Sequence, residues 1–409
     1  MNERIVITGM GAISPIGLSV KEAWQSAING VSGVAPITLF DPADFLVQIA
    51  CEVKDFDPKD FIPAREARRM DRYEQFALAA AKEALEHSGL EITPENASRV
   101  GVIVSSAIGG ISSFEDGTQT VRENGPRRVN PFLIPMLMPN GAAGLIGITH
   151  GMQGPAFSIA SACASGIDAL GVAWMMLKKG MIDAAISGAS ESTVTPTAVA
   201  AFDRLGAMTR RSENVPQPFD ANRDGLVMGE GSAVLVLERE SFAVERGADI
   251  LAELAGYAAT ADAFHITAPA EDGAGGTRAM KQALDQAGLN PQEVNYINAH
   301  GTSTPLNDVS ETRAIKAAFG DFAYHIPVSS TKSMTGHMMG ATGALETIFC
   351  VQAVEEDVIP PTINYHTPDP ECDLDYVPNE ARETRVDVAI SNAFGFGGHN
   401  AVLVVKKYS

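Results

Sequence analysis

Two hydrophobic rhythms alternate along the chain. Runs such as IVITG from Ile5 and GSAVLVLE from Gly231 are apolar at every or every second residue, the period of strands. Between them lie longer stretches with apolar residues three and four apart, the period of a helix packed on one face. Lys82–Leu90 reads KEALEHSGL and Lys281–Leu289 reads KQALDQAGL. Each closes an amphipathic helix, with Gly89 or Gly288 at the C-terminal cap. A strand follows each, RVGVIVSS from Arg99 and EVNYINAHG from Glu293. This alternation predicts an α/β fold.

The two helix–strand pairs begin a longer internal repeat. AFSIASAC (156–163) matches IPVSSTKS (326–333), each an apolar strand running into a turn of small residues and a helix. DAAISGAS (183–190) matches DVAISNAF (387–394), and GSAVLVLE (231–238) matches HNAVLVVK (399–406). Five elements recur in the same order, with insertions at 107–155 and 191–230. The chain therefore reads as a duplication with its boundary near 240–255, giving halves 1–250 and 251–409. In open α/β sheets, sites form beyond the carboxyl ends of strands. That rule gathers Cys163, His300, Lys332 and the 394–399 loop into one region.

Composition narrows the class. Of 409 residues, 45% are hydrophobic and 20% charged, the balance of a globular protein with a sizeable core. A net charge of −20 argues against a nucleic-acid binder or a protein held on anionic lipid. The longest uncharged stretch, 129–167, is broken by Pro131, Pro135, Pro139, Pro155 and six glycines, so no membrane span is expected. MNERIVITG reads as a first strand rather than a signal peptide, and the four cysteines (51, 163, 350, 372) form no CxxC pair. A cytoplasmic protein with reduced thiols is the expectation.

Candidate chemistry sits in four segments. ITGMGAISP has Ser14 where a dinucleotide fingerprint needs its third glycine, so it carries no nucleotide site. SIASACASG places Cys163 on a tight strand-to-helix turn with little bulk around the sulfur; a helix N-terminus there would favour thiolate. A buried structural cysteine would fit the same local sequence. NAHGTSTPLND sets His300 at a strand end before the hydroxyls of Thr302, Ser303 and Thr304. STKSMTGHMMGATGALE brings Lys332 and His337 around a second strand-to-helix turn, with Glu346 nine residues past His337. FGFGGHN (394–400) can bring backbone N–H groups near a ligand, with Phe394 and Phe396 as apolar gates.

Together, SACASG, NAHGTSTPLND, STKSMTGHMMGATG and NAFGFGGHN resemble the β-ketoacyl-[acyl carrier protein] synthases, in particular the elongating synthase II type with one cysteine and two histidines. The likeness runs from IVITGMGAISPIG to the last strand and includes RDGLVMGEGSAVLVLE (223–238). It implies a thiolase-type fold, five layers αβαβα from two duplicated halves, forming a homodimer. It implies acyl transfer from acyl carrier protein to Cys163, then decarboxylation of malonyl-carrier protein and attack on the thioester. By resemblance, the backbone N–H groups of Cys163 and Phe396 receive the oxyanion, and His300 and His337 donate to the enolate. Lys332 orients and polarises the histidines, paired with Glu346. Thr302 and Thr304 hold the phosphopantetheine arm, and Ile108 with Phe394 and Phe396 lines or gates the acyl tunnel. No cofactor or metal is implied.

An acidic carrier must dock on this acidic chain through local charge, since screening reduces interactions beyond about 8 Å. AREARRMDR puts Arg65, Arg68, Arg69 and Arg72 at i, i+3, i+4 and i+7, one face of an expected helix, and Arg127 and Arg128 add a second cluster. Ala164 and Ala393 stand where the family commonly has Ser or Thr, and Ser, respectively, which bears on chain-length preference. A thiolase would carry a second cysteine in a CxGxG segment, an initiating synthase an asparagine in place of His337, and a non-catalytic chain-length factor would lack Cys163. A polyketide-type ketosynthase shares the same chemistry and is the nearest alternative.

Overall fold

The computed structural model describes residues 3–409. Ten strands form its main sheet: β1 (Ile5–Ile13), β2 (Val100–Ser105), β3 (Ala156–Phe157), β4 (Ala184–Glu191), β5 (Gly231–Arg239), β6 (Ala252–Ala261), β7 (Tyr296–Asn298), β8 (Val328–Ser329), β9 (Val388–Gly395) and β10 (His399–Lys407). Their spatial order is β8-β7-β9-β10-β6-β1-β5-β4-β2-β3. Outward from the centre, the first five strands run β1-β5-β4-β2-β3 and the last five β6-β10-β9-β7-β8, the same order twice. The directions repeat too: antiparallel, antiparallel, parallel, parallel in each set. Among the described residues, strand pairing joins the two sets only at Val6↔Glu253 and Ile7↔Ala252, through β1 and β6.

Five helices flank the strands: α1 (Arg72–Ser88), α2 (Ser165–Lys178), α3 (Ala274–Ala287), α4 (Pro305–Phe319) and α5 (Thr342–Glu356). The period-2 pattern decides which layer each side chain enters. On β5, Ala233, Leu235 and Leu237 face a central core with α2 and α5, while Val234 and Val236 face α1. On β10, Ala401, Leu403 and Val405 join the same central core, while Val402 and Val404 pack with α3 and α4. Buried on both faces, these strands need apolar residues at every position, hence runs such as AVLVL. The layers are αβαβα, with α2 and α5 in the middle. The inserted segments form helices Ile111–Asn124, Leu133–Leu137, Gly141–His150 and Pro196–Arg204.

The basic helix face departs from expectation. Ala64–Ala67 is one turn of helix, and a new helix begins at Arg72. Asp71 breaks the run by building a capping box with Glu74 at the start of α1, which commits Asp71 to an extended conformation. Arg72 then turns inward to the buried Glu230 at 2.7 Å, and Arg69 pairs with Glu66 and covers the Phe132 ring. Arg65 and Arg68 stay exposed, as do Arg127 and Arg128 on the short turn Pro126–Arg128. Among the described residues no helix is long and apolar enough to cross a membrane.

Candidate active site

Cys163 stands between β3 and α2, on a turn in which Ala162 adopts φ 51°. The Ser165 hydroxyl donates to the Ala162 carbonyl at 2.7 Å, and the Ala164 N–H donates to the Ser161 carbonyl at 3.1 Å. These bonds hold a backbone conformation that a residue with a Cβ adopts only at a cost. The sulfur is buried and lies 3.1 Å from His337 Nε2. Burial pushes the thiol up to about 11, against the pull of Lys332 and of the backbone N–H groups of Phe396 and Cys163. A thiol raised in this way stays protonated at neutral pH, against the thiolate expected from the helix terminus.

His337 owes its position to a break in the second strand-to-helix turn. Lys332–Thr335 makes one helical turn, Gly336 enters the left-handed region at φ 64°, and α5 begins only at Thr342. A side chain at Gly336 would meet Cys51 Sγ at 2.8 Å. His337 Nδ1 lies 3.1 Å from the Thr342 hydroxyl, and the backbone N–H of His337 donates to the Val227 carbonyl. The His300 ring stands edge-on to it, with centroids 5.4 Å apart, and its chain is held from below by Glu311. The N–H groups of His300 and Gly301 donate to the two Glu311 oxygens at 2.8 and 2.7 Å, and Asn392 donates to the first. The Cys163 sulfur and one nitrogen from each imidazole lie within 4.8 Å of one another.

Burial first, and Lys332 second, holds both imidazoles well below the ordinary histidine range, so both are neutral at neutral pH. Lys332 is itself buried and donates to Glu346 at 2.7 Å. Glu346 reaches it from α5. Burial pushes Glu346 up to about 7 while Lys332 pulls it back. Its second oxygen, the Asn298 amide, the Ser391 hydroxyl and Asn392 Oδ1 have no protein partner, and such buried groups are ordinarily met by ordered water or an ion.

A cavity of about 320 Å³ runs from this cluster to the surface. Cys163, His300, His337, Phe394 and Phe396 lie at its inner end, and Thr302 and Thr304, whose hydroxyls are 2.9 Å apart, line its wall. Ile108 is not among its lining residues. It sits half-buried on the 106–109 loop, which hangs on the buried Glu191 through Ser106 and the N–H groups of Ala107 and Ile108. Arg65, Arg68, Arg69, Arg127 and Arg128 also lie outside the cavity lining.

The motifs did not reveal Glu311 or Glu191. Glu311 had a signal: it shares a helix face with Ile315 and Ala318, an acid where the periodicity calls for an apolar residue. Glu191 ends an apolar strand and offered only its type. The cavity wall formed by 202–207 and 267–269 carries no motif.

Comparison with known proteins gives one consistent answer. The family model described as the beta-ketoacyl synthase N-terminal domain matches residues 2–243, and that of the C-terminal domain matches residues 251–366. A 3-oxoacyl-[acyl-carrier-protein] synthase 2 of Staphylococcus aureus (strain COL) is 49% identical over 409 residues, covering 100% of this chain and 99% of the relative. One from Synechocystis sp. is also 49% identical, covering 99% and 98%. Among solved structures, a type II PKS acyl-carrier protein in complex with its ketosynthase superposes with TM-score 0.92 at 34% identity, and the ishigamide ketosynthase/chain length factor with 0.93 at 37%. Both cover 100% of each chain.

Proposed function

The chain belongs to the beta-ketoacyl synthase family, and from that premise we propose that it lengthens carrier-bound acyl chains by two carbons in fatty-acid synthesis. The carrying observation is the buried thiol of Cys163 at 3.1 Å from a neutral imidazole, with a second imidazole beside it, at the inner end of a cavity walled by Thr302 and Thr304.

Because the resting sulfur is a thiol, it donates to His337 Nε2, and the Nδ1–H of that tautomer faces the Thr342 hydroxyl. As Cys163 attacks the acyl thioester of the carrier, its proton passes to Nε2. The carbonyl oxygen takes up negative charge beside the N–H groups of Cys163 and Phe396, the same groups that pull the thiol down. The carbon–sulfur bond to the carrier arm breaks, and the arm takes the proton from His337 Nε2 and leaves as a thiol. Malonyl-carrier protein then enters, with Thr302 and Thr304 as hydrogen-bonding partners for its phosphopantetheine. Loss of CO₂ leaves an enolate; a ring N–H of His300 donates to its oxygen, and His337 joins it by moving its single proton from Nδ1 to Nε2. The enolate carbon attacks the Cys163 thioester, and the cysteine departs and recovers a proton. One acyl-carrier and one malonyl-carrier thioester, with one proton, give the 3-oxoacyl-carrier thioester, CO₂ and the free carrier thiol. Lys332 acts through its field: it lowers the thiol and keeps both imidazoles neutral, hence able to donate and accept. No step calls on a cofactor.

The carrier docks where Arg65, Arg68, Arg69, Arg127 and Arg128 gather, supported by the neighbour solved with its acyl-carrier protein. A homodimer through the β3 edge is supported by that strand's place at the end of the sheet and by exposed Ile134 and Phe132 on the adjoining insertion. Residues 1–250 and 251–409 act as the two halves, with Ile108 at the acyl pocket on the dimer side, in the cytoplasm. The test is an incubation of the protein with acyl-carrier proteins of graded length and labelled malonyl-carrier protein, measuring CO₂ and 3-oxoacyl product. Cys163-dependent product from saturated acyl chains supports the proposal. Product from poly-3-oxo chains alone would favour the polyketide-type reading, for which the 0.92 and 0.93 structural matches speak.

A further inference from the structure

Besides the His337 contact of its sulfur, the turn that carries Cys163 has a side-chain bond that leads out of it. The Ser161 hydroxyl reaches out of the turn to Asp168, one helical turn into α2. The other Asp168 oxygen accepts a hydrogen bond from the Tyr257 hydroxyl at 2.8 Å. Tyr257 belongs to β6 in the second half of the duplication, and its register partner on β10 is Leu403. β10 is the strand that leads away from the 394–399 loop, which supplies the Phe396 N–H. That loop also presses on the cysteine turn: a Cβ at Gly395 would stand 3.0 Å from both the Cys163 nitrogen and the Ser161 carbonyl oxygen. Asp168 is buried, and the mechanism above gives it no task.

The two backbone donors proposed to receive the thioester oxygen come from different halves, Cys163 from the first and Phe396 from the second. Their spacing depends on how the two turns are braced against each other. From the bonds Ser161–Asp168–Tyr257 we infer that Asp168 is a positioning residue that sets this spacing, and so governs acyl transfer to Cys163. The inference rests on the reading of those N–H groups as the oxyanion donors.

Two reactions of the same sulfur separate this role from general damage to the turn. Acyl transfer from a carrier thioester needs both donors; alkylation by iodoacetamide needs only the sulfur. In Asp168→Ala, acylation of Cys163 falls roughly 10- to 100-fold, as small displacements of reacting groups do, while alkylation changes by no more than about threefold. Asp168→Asn keeps an acceptor at nearly the same volume and restores most of the rate. Tyr257→Phe removes a single hydroxyl from a half-buried side chain, and it shows a smaller loss of the same kind if Asp168→Ala does not fold. Equal losses in acylation and alkylation, or unchanged acylation in these variants, would overturn the inference alone. Absence of Cys163 acylation in the wild type would overturn the functional reading and the inference with it.

Discussion

The two halves present the same strand-to-helix turn with opposite purposes. After β3 the chain passes Cys163 and enters α2 at Ser165, a helix that continues unbroken for 14 residues. After the equivalent β8 it makes the short helix Lys332–Thr335, breaks at Gly336, and resumes as α5 only at Thr342. The uninterrupted copy holds the Cys163 thiol in a tight elbow. The interrupted copy turns His337 back across the interface until Nε2 meets the sulfur, and leaves Lys332 buried beneath. Duplication provides the frame, and a break of a few residues in one copy sets two similar helix starts face to face, as the proposed nucleophile and its proposed proton partner.

Replacing the proton partner should show this division most strongly. His337→Ala and His300→Ala are each expected to lower condensation by about 10²- to 10³-fold, the cost of losing one donor at a developing oxyanion. Steady-state rates with malonyl-carrier protein check this, and a loss below tenfold for both would remove them from the mechanism. The break itself comes next. In Gly336→Ala, the new Cβ meets Cys51 and the left-handed conformation is strained, so His337 shifts and condensation drops by roughly 10²-fold. Alkylation of Cys163 in the same variant should fall far less, because the uninterrupted turn is untouched.

A third experiment weighs the field between the two turns. The thiol is raised by burial, so its thiolate fraction grows with pH, and the alkylation rate should climb about tenfold per pH unit from neutrality toward pH 11. Lys332→Met removes the cation that lowers the thiol, so the curve moves to higher pH and the rate at any given pH falls. A plateau reached near neutral pH would contradict the burial argument. The smallest effect concerns docking. Reversing Arg68 and Arg69 to glutamate should raise the KM for carrier-bound substrate several-fold at low salt, and less at high salt, while short-arm thioesters react as before. Equal losses with both substrates would place these residues outside the docking surface.

The sequence made the duplication legible because buried strands leave continuous apolar runs, and four of them recur in order together with a capped helix. Cys163, His300, Lys332 and His337 stood out because each follows such a run at the carboxyl end of a strand. The supporting acids did not. Glu191 and Asp168 lie at a strand end and inside a helix, where an acidic letter reads as a solvated face; Glu311 differs only in sitting on an apolar helix face, and the fold reveals that each binds backbone or hydroxyl groups of the site. The arginine run misled for a local reason: Asp71 caps α1 in the middle of a spacing that fits one continuous helix. The thiol's ionisation also escaped, since burial is a property of the packed site and the helix terminus is visible in the chain.

The central claim is that Cys163 is the residue that receives the acyl group. Mass spectrometry of the protein after incubation with an acyl-carrier protein alone tests it directly. The account predicts a mass increase of one acyl group, located on the peptide containing Cys163 and lost on addition of malonyl-carrier protein with release of CO₂. An acyl group on another residue, or turnover without any acylated protein in Cys163→Ala, would contradict it.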